Sequence, residues 1–482
     1  MIALGYIFSL LYGILAILIG ILLHKCGVSN RVSRKAVHVL IGAEWLILDY
    51  FMPVSPHFLA VCLIFTAALF VEYRMKILPS MSSSGDNAPG TVWYGVAMTA
   101  LAISQLILPN LRYPFGIAVF CTSVGDGLAA IVGQGVKSPN PRILGDKSLL
   151  GTLTVFSVSL AVTLIFKGLV PLDLTVGACT AIALLSASVE LVSRKGTDNL
   201  TVTLSVAFLT YLLIYYPAFS DYALAVALMP AVVGVIHGRR ELTVPGILAA
   251  TALAVISVAS LGNVGFVLLI TYFVLAVITD KIKNKHKKTK QNGISKEKSA
   301  PHRNLWQVAA NGSFAFISAL LLFITENSVF GVCFTSALAQ SLSDTASSGL
   351  GILSKKTYDP FRKAPCESGT SGGMSILGTV VSLVFPLGFG SLACLMGIIP
   401  AIHILPVGIA AFIGTLLDSL LGSLIQGVYK CQGECGSLTE QPTCCGTPAT
   451  LIRGFRRFTN NTTNLLSNAL ATLIAFLIAS FL

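Results

Sequence analysis

Charged residues are scarce in this chain of 482 amino acids, since only 11% are Asp, Glu, Lys or Arg and 54% are apolar. The mean hydropathy of +0.82 is far above that of a water-soluble protein. A large soluble domain is therefore excluded, and we expect an all-α, multi-pass membrane protein embedded in the lipid bilayer. Because one spanning helix takes about 20 residues, the length accommodates about 14–16 spans in two bundles.

Acidic residues are even scarcer than basic ones, with 20 Asp and Glu against 32 Lys and Arg and a net charge of +12. The basic residues stand in short connections between apolar segments, which indicates membrane topology and no nucleic-acid partner. All of them except Arg112 and Lys167 fall on one side of the predicted bilayer. The positive-inside rule assigns that side to the cytoplasm, so both termini are predicted to face outward.

One connection between the predicted spans is unusually basic. Residues 281–303 hold eight Lys and one Arg, and we predict a solvated cytoplasmic linker there.

Most of the eleven cysteines stand singly in apolar segments, so no disulfide framework is expected. The last four could hold a structural Zn²⁺, with free thiols as the alternative; they are Cys431, Cys435, Cys444 and Cys445.

Acidic side chains in or beside apolar helices are candidates for function, because inserting one costs about 2.5 kcal/mol or more. Apart from Glu44, those of this chain fall at predicted cytoplasmic ends, where a nucleotide and Mg²⁺ would be available. The full set is Glu44, Glu72, Asp126, Glu190 and Asp198 in the first half and Asp344, Glu367 and Asp418 in the second.

A glycine-rich segment around Asp126 and a second one after Gly145 predict a phosphate cradle. Small residues let a phosphate approach the backbone, and free N–H groups at a helix start attract anions. Asp126 is the predicted Mg²⁺ ligand, since this ion takes one or two carboxylates. Close helix packing is the alternative for the glycines. The residues of the predicted cradle are Gly125, Gly127, Gly133, Lys147, Ser148 and Gly151.

The first half carries the motif Asp126-x2-Ala129-Ala130-x2-Gly133, followed by Lys147-Ser148-Leu149-x-Gly151. It resembles the CTP-binding signature of polyprenol kinases, most closely that of the phytol and farnesol kinase branch, over residues 1–217. Further matches are Arg34-Lys35-x2-His38, Glu72, and Glu190 followed by Asp198.

This resemblance implies a first domain, 1–217, that phosphorylates an isoprenoid alcohol. Asp126 would bind Mg²⁺ or orient the alcohol. The implied phosphate contacts are Arg34, Lys35, His38 and Lys147, and the implied supports of metal or acceptor are Glu72, Glu190 and Asp198.

The second half carries Ser343-Asp344-Thr345, a segment from Ser368 to Thr379 rich in Gly and Ser, and Gly414-x3-Asp418. These motifs resemble the phytyl phosphate kinase family, relatives of transmembrane protein nineteen. Relatives carry a glutamate where Gly349 stands here, so Asp418 or Glu367 would compensate if that glutamate binds metal.

The resemblance implies a second domain, 218–482, that phosphorylates an isoprenoid monophosphate. Asp344 and Asp418 would serve Mg²⁺. The implied phosphate-binding residues are Lys363, Gly369, Thr370, Gly372 and Gly373.

Together the two resemblances imply a bifunctional membrane kinase that converts an isoprenoid alcohol to its monophosphate and then to its diphosphate. CTP as the nucleoside triphosphate follows from the resemblance alone. The alternatives are a cytidylyltransferase that makes a CDP-lipid and a transporter built from two repeats, whose site would lie near the bilayer midplane. A short similarity between 148–152 and 375–379 is compatible with distant duplication or with chance.

Overall fold

The chain folds into two compact units, Met1–Arg239 and Arg240–Leu482, each described here by itself. Twelve helices in the described part are long and apolar enough to span a membrane, which confirms the predicted all-α, multi-pass membrane fold. A computed structural model describes residues 1–75, 89–135, 142–144, 147–193, 196–239, 241–290, 303–354, 356–366, 368, 370–433, 438–440, 442–444 and 447–482.

The first unit is a bundle of nine helices in its described part, with a short antiparallel hairpin of β1 (Arg142–Leu144) and β2 (Lys147–Ser148). Helix α9 packs against α7, so this unit extends one helix beyond residue 217. The helices are α1 Ile2–Lys25, α2 Asn30–Phe51, α3 Pro56–Met75, α4 Gly90–Ile107, α5 Arg112–Gly135, α6 Leu149–Leu169, α7 Val176–Val192, α8 Asp198–Tyr215 and α9 Ser220–Gly238.

Close packing of α2 against α5 organises the first unit. The two helices run antiparallel, and small residues on α5 receive large ones from α2. A Cβ at Gly116 would lie 2.6 Å from the ring of Trp45, and one at Gly127 would lie 2.5 Å from Val39. Helix contact through small residues is typical of membrane bundles, where backbones approach closely.

The second unit begins with a helical hairpin. Helix α10 (Val244–Lys290) is broken at Gly262, whose φ of 62° and ψ of −149° are outside the helical region. The ammonium of Lys281 lies 3.6 Å from the Glu241 carboxylate, so the two segments of α10 run antiparallel. The sequence predicts spans over 243–261 and 263–280, and the break falls between them.

The basic stretch 281–303 differs from its prediction. Its first ten residues continue α10 to Lys290, so they are helical rather than a loop, because lysine is a good helix former and prolongs an established helix at little cost. Residues 291–302 lie outside the described part.

The rest of the second unit consists of five helices and two small sheets in the part described. Strands β3 (Thr357–Asp359) and β4 (Ala364–Cys366) form a hairpin. The region after α14 contains a sheet in the order β6-β5-β8-β7. The elements are α11 Leu305–Thr325, α12 Val329–Gly351, α13 Ile376–Leu395, α14 Ile404–Leu424, α15 Asn460–Phe481, β5 Val428–Cys431, β6 Leu438–Thr439, β7 Thr443–Cys444 and β8 Thr447–Arg453.

Candidate functional site

Two lysines and three carboxylates meet at one end of the first unit. Lys35 near the start of α2 forms an ion pair with Asp126 of α5. Lys147 of β2 forms an ion pair with Glu190 at the end of α7, and its ammonium lies 3.3 Å from Asp198 at the start of α8. The structure therefore brings together five residues that the sequence predicts as parts of one site.

The charges of this cluster act on one another. Burial disfavours the charged form of Lys147, but the carboxylates of Glu190 and Asp198 outweigh that effect and raise the pKa of Lys147. Asp126 contributes in the same direction from a greater distance. Lys147 therefore stays cationic at neutral pH and can offer its charge to a phosphate.

A separate ion pair lies at the opposite end of α2 and α5. The guanidinium of Arg112 binds Asp49 through two hydrogen bonds of 2.6 and 2.9 Å. Arg112 and Asp126 are fourteen residues apart on α5, about 21 Å along a helix. The lysine cluster is thus confined to one end of the bundle; that this end faces the cytoplasm stays a prediction.

The glycines of the predicted phosphate cradle lie at helix contacts. A Cβ at Gly125 would lie 3.7 Å from Val155 Cγ1, which is an ordinary contact distance. Gly127 packs against α2 as described above. Gly133 and Gly151 both border the Ser148 hydroxyl. These contacts are those of close packing, so a phosphate contact by any of these glycines stays a prediction. Gly145 and Asp146 lie outside the described residues.

The remaining predicted residues of the first site lie on α2 and α3. Arg34 and His38 line a small cavity with Tyr94 of α4. Glu72 is half-buried near the end of α3.

An open cavity of about 230 Å³ lies in the second unit. Asp344 of α12 and Asp418 of α14 line it on one side, and the connection that precedes α13 lines it with Thr370, Gly372 and Gly373. These five residues were all predicted as parts of a second site from separate motifs.

The two aspartates of this cavity are in hydrogen-bond contact with each other. The side-chain amide of Asn464, on α15, lies 3.2 Å from Asp418 Oδ1. No group of three or more His, Cys, Asp or Glu side chains within the described ranges could hold a metal ion. A donor set of two carboxylates nevertheless fits Mg²⁺, which completes its coordination with water and phosphate oxygens.

Other cavity residues were not predicted from the sequence. Lys283 of α10 is the one positively charged side chain among the described lining residues. Glu440 and Asn460 also line the cavity. Lys283 belongs to the basic stretch that was predicted as a linker, where its sequence neighbours are equivalent lysines. Nothing in the sequence singles it out.

The same local geometry occurs in both units. Asp126 precedes Gly133 by seven residues on α5, and Asp344 precedes Gly351 by seven on α12. A Cβ at Gly133 would lie 3.1 Å from Ser148 Oγ; the same distance separates a Cβ at Gly351 from Oγ of its counterpart serine, Ser375.

The helix that follows starts in the same way in each unit. Ser148 Oγ accepts the Gly151 N–H at 3.2 Å and caps α6. In the second unit, the hydroxyl of Ser375 accepts the N–H of Gly378 at 3.1 Å and caps α13. Each unit thus places one aspartate two helical turns before a glycine that packs on a capping serine.

A known protein family matches most of the second unit. Residues 227–472, just over half of the chain, match the family described as integral membrane protein DUF92. The chain belongs to this DUF92 family.

Several known proteins are similar to part of this DUF92 chain. It is 34% identical over 187 residues to the phytol kinase of Synechocystis sp., an alignment that covers 38% of this chain and 78% of the relative. It is 25% identical over 248 residues to protein VTE6, chloroplastic, of Arabidopsis thaliana, covering 50% of this chain and 66% of the relative. An uncharacterised membrane protein of Methanocaldococcus jannaschii is 29% identical over 195 residues, covering 40% and 77%. No solved structure matches the chain.

Close helix packing explains why a glycine stands at position 349 of this DUF92 chain. A Cβ at Gly349 would lie 3.1 Å from the Thr279 carbonyl oxygen, because α12 packs closely on α10 there. A glutamate at this position would require the two helices to separate. Asp418 contacts Asp344, whereas Glu367 lies outside the described residues, so compensation by either residue stays a prediction.

The loop before α13 is shaped by backbone contacts. Gly372 has a φ of +83°, and a Cβ on it would lie 2.5 Å from Ser423. The Arg453 guanidinium holds the loop by donating to the carbonyls of Ser371 at 3.1 Å and Gly422 at 3.0 Å. Replacing Gly372 would therefore disturb this packing whether or not the loop binds a phosphate.

Three further predictions concern Lys363, Gly369 and the cysteine cluster. Lys363 is exposed and does not line the described cavity, and Gly369 lies outside the described residues. Cys431 is buried with 3% exposure, and its thiol lies 3.7 Å from the Cys444 carbonyl oxygen. Cys435 and Cys445 also lie outside the described part, so the zinc site stays a prediction.

Proposed function

We propose that this protein is a membrane kinase with two sites, one that phosphorylates an isoprenoid alcohol and one that phosphorylates the resulting monophosphate. The observation that carries the proposal is the recurrence, in both units, of one aspartate and one capped helix start beside a charged cluster. The similarity to a phytol kinase supports an isoprenoid alcohol as the substrate.

Phosphoryl transfer asks a protein mainly for positioning and charge neutralisation. In the first unit, Lys35 and Lys147 supply positive charge and are now held by carboxylates. Each lysine would exchange a carboxylate oxygen for a phosphate oxygen when the nucleotide binds. Asp126 would then be released from Lys35 and free to hold Mg²⁺ or to orient the alcohol.

In the second unit, the carboxyl groups of Asp344 and Asp418 are the residues that would hold Mg²⁺. When bound, the ion supplies charge neutralisation for the phosphates. Lys283 lines the same cavity and would contact a phosphate as a point charge. The cavity is open, which suits a charged nucleotide that arrives from water.

Joining both sites in one chain has a physical advantage. A long-chain monophosphate is amphiphilic and stays in the bilayer, so tethering the two sites raises the concentration of the intermediate at the second one. CTP is proposed as the donor from the motif resemblance.

The test is product analysis with membranes that contain the full chain. Labelled phytol, farnesol or geranylgeraniol is supplied with each of the four nucleoside triphosphates and Mg²⁺. We expect a monophosphate and then a diphosphate without attached cytidine, formed best with CTP. A product that contains cytidine would instead identify a cytidylyltransferase, and no phosphorylated product with any nucleotide would refute the proposal.

A further inference from the structure

Several buried polar side chains of the first unit have no hydrogen-bond partner among the described residues, and three of these lie near one another. They are His38 at its Nε2 atom, Tyr94 at its hydroxyl and Ser123 at its hydroxyl. Their exposed fractions are 8%, 1% and 0%. A buried polar group without a partner is destabilising, so an unexplained group of three indicates a missing partner.

The three side chains lie close together between α2, α4 and α5. The rings of His38 and Tyr94 meet edge to face with centroids 4.7 Å apart. A Cβ on Gly42 would overlap the Ser123 hydroxyl and would lie 3.6 Å from the Tyr94 hydroxyl. The bare backbone of Gly42 therefore leaves these hydroxyls side by side.

This polar group lies directly beside the ion-paired cluster. Ser123 precedes Asp126 by less than one turn of α5, and Asp126 is among the charges that act on His38. A hydroxyl bound by the three side chains would thus lie next to the carboxylate proposed to orient the acceptor.

The other side of these three groups is mainly apolar. A small cavity of about 20 Å³ is also lined by His38 and Tyr94. Its apolar lining residues are Val37, Ile41, Phe65 and Leu69, and its further polar ones are Arg34 and Thr91. Helix α2 packs on α1 and α5, whereas α4 packs on α3 and α8, so the cavity lies in a cleft between α2 and the α3–α4 pair. An apolar wall that ends in unpartnered polar groups matches an amphiphile with one polar end.

We propose that this cleft binds the acceptor alcohol, with the hydroxyl held by His38 Nε2, Tyr94 and Ser123. The hydrocarbon chain lies along the apolar wall of α2 and α3. This inference rests on the proposed kinase activity of the first unit, and it assigns His38 to the alcohol in place of the predicted phosphate contact.

The test uses Tyr94→Phe in the full chain. We expect the KM for the alcohol to rise about fivefold, the effect of one lost hydrogen bond, while the KM for the nucleotide stays unchanged. Thermal stability should be equal or higher, because the deleted hydroxyl has no partner within the described part of the chain. Ser123→Ala should behave in the same way.

The matched control is Tyr12→Phe, which removes a hydroxyl that donates to the Leu40 carbonyl at 2.7 Å. This variant should lose stability and keep the wild-type KM for the alcohol. An unchanged alcohol KM in both Tyr94→Phe and Ser123→Ala would overturn the inference.

A binding experiment separates this inference from the proposed activity. A diazirine-bearing long-chain alcohol should label peptides that contain residues 37–41 and 91–94, and excess unlabelled alcohol should suppress the labelling. Such labelling without any monophosphate product would refute the kinase and support the alcohol site. Labelling confined to other helices would overturn the alcohol site even if the kinase is active.

Discussion

Replacing Asp418 by asparagine should stabilise the metal-free protein, although it removes a proposed metal ligand. Asp344 and Asp418 are in contact inside the second unit. A hydrogen bond between two carboxyl groups needs a shared proton, so the metal-free pair holds a proton at neutral pH that the unfolded chain does not, and this costs free energy. Lys283 acts on Asp344 and offsets part of this cost. Asparagine needs no such proton, and we therefore expect Asp418→Asn to raise the free energy of unfolding by about 1–2 kcal/mol.

The assay is thermal unfolding of the purified protein in detergent, with chelator or with Mg²⁺. In a unit of this size about 1 kcal/mol shifts Tm by about 2–4 °C, so the variant should melt roughly 2–8 °C above wild type in chelator. Magnesium at 100 times its Kd should stabilise the wild-type protein by about 2.7 kcal/mol. The same addition should leave the Tm of Asp418→Asn almost unchanged.

Asp359→Asn is the matched control. This aspartate is buried and accepts hydrogen bonds from the Ser423 hydroxyl at 2.7 Å and from the N–H groups of Phe361 and Arg362 at 3.1 Å. Its substitution should lower Tm with and without Mg²⁺. A lower Tm of Asp418→Asn in chelator, or a wild-type Tm that Mg²⁺ does not change, would refute the metal-site reasoning.

Three further predictions concern cations and topology. Lys147→Met leaves Glu190 buried without its cation and should reduce the free energy of unfolding by about 3 kcal/mol in chemical denaturation at neutral pH. Because the carboxylates of Glu190 and Asp198 raise the pKa of Lys147, this contribution persists from neutral pH to the unfolded-state pKa of about 10.4 and is lost as the pH rises above it. Lys283→Gln should raise the nucleotide KM of monophosphate phosphorylation about tenfold, whereas Lys281→Gln, on an exposed side chain, should leave it unchanged; equal kinetics in the two variants would contradict the role of Lys283. The exposed Cys26 should escape an impermeant thiol reagent in intact cells and react in opened membranes, and labelling from outside would reverse the predicted topology.

Much of the fold could be predicted because apolar runs of span length have few alternatives. The break in α10 falls at Gly262, a residue that tolerates the positive φ found there. The helical extension to Lys290 could not be predicted, since a lysine-rich stretch suits both a solvated loop and a solvated helix. The sheet after α14 was missed because its strands have only two to seven residues.

The site was predictable where charge stands out against an apolar background. Asp126, Asp344 and Asp418 are conspicuous for that reason, and the structure places the latter two in contact. The alcohol cleft was not predictable, because Tyr94 and Ser123 are ordinary residues of membrane helices until their lack of partners is seen in three dimensions.

The independence of the two sites is tested by following one labelled alcohol through two variants of the full chain. Asp126→Asn should form no monophosphate from the alcohol but should still convert supplied monophosphate to diphosphate. Asp344→Asn should accumulate the monophosphate and make no diphosphate. If either substitution abolished both steps in a folded protein, a single shared site would replace the two sites proposed here.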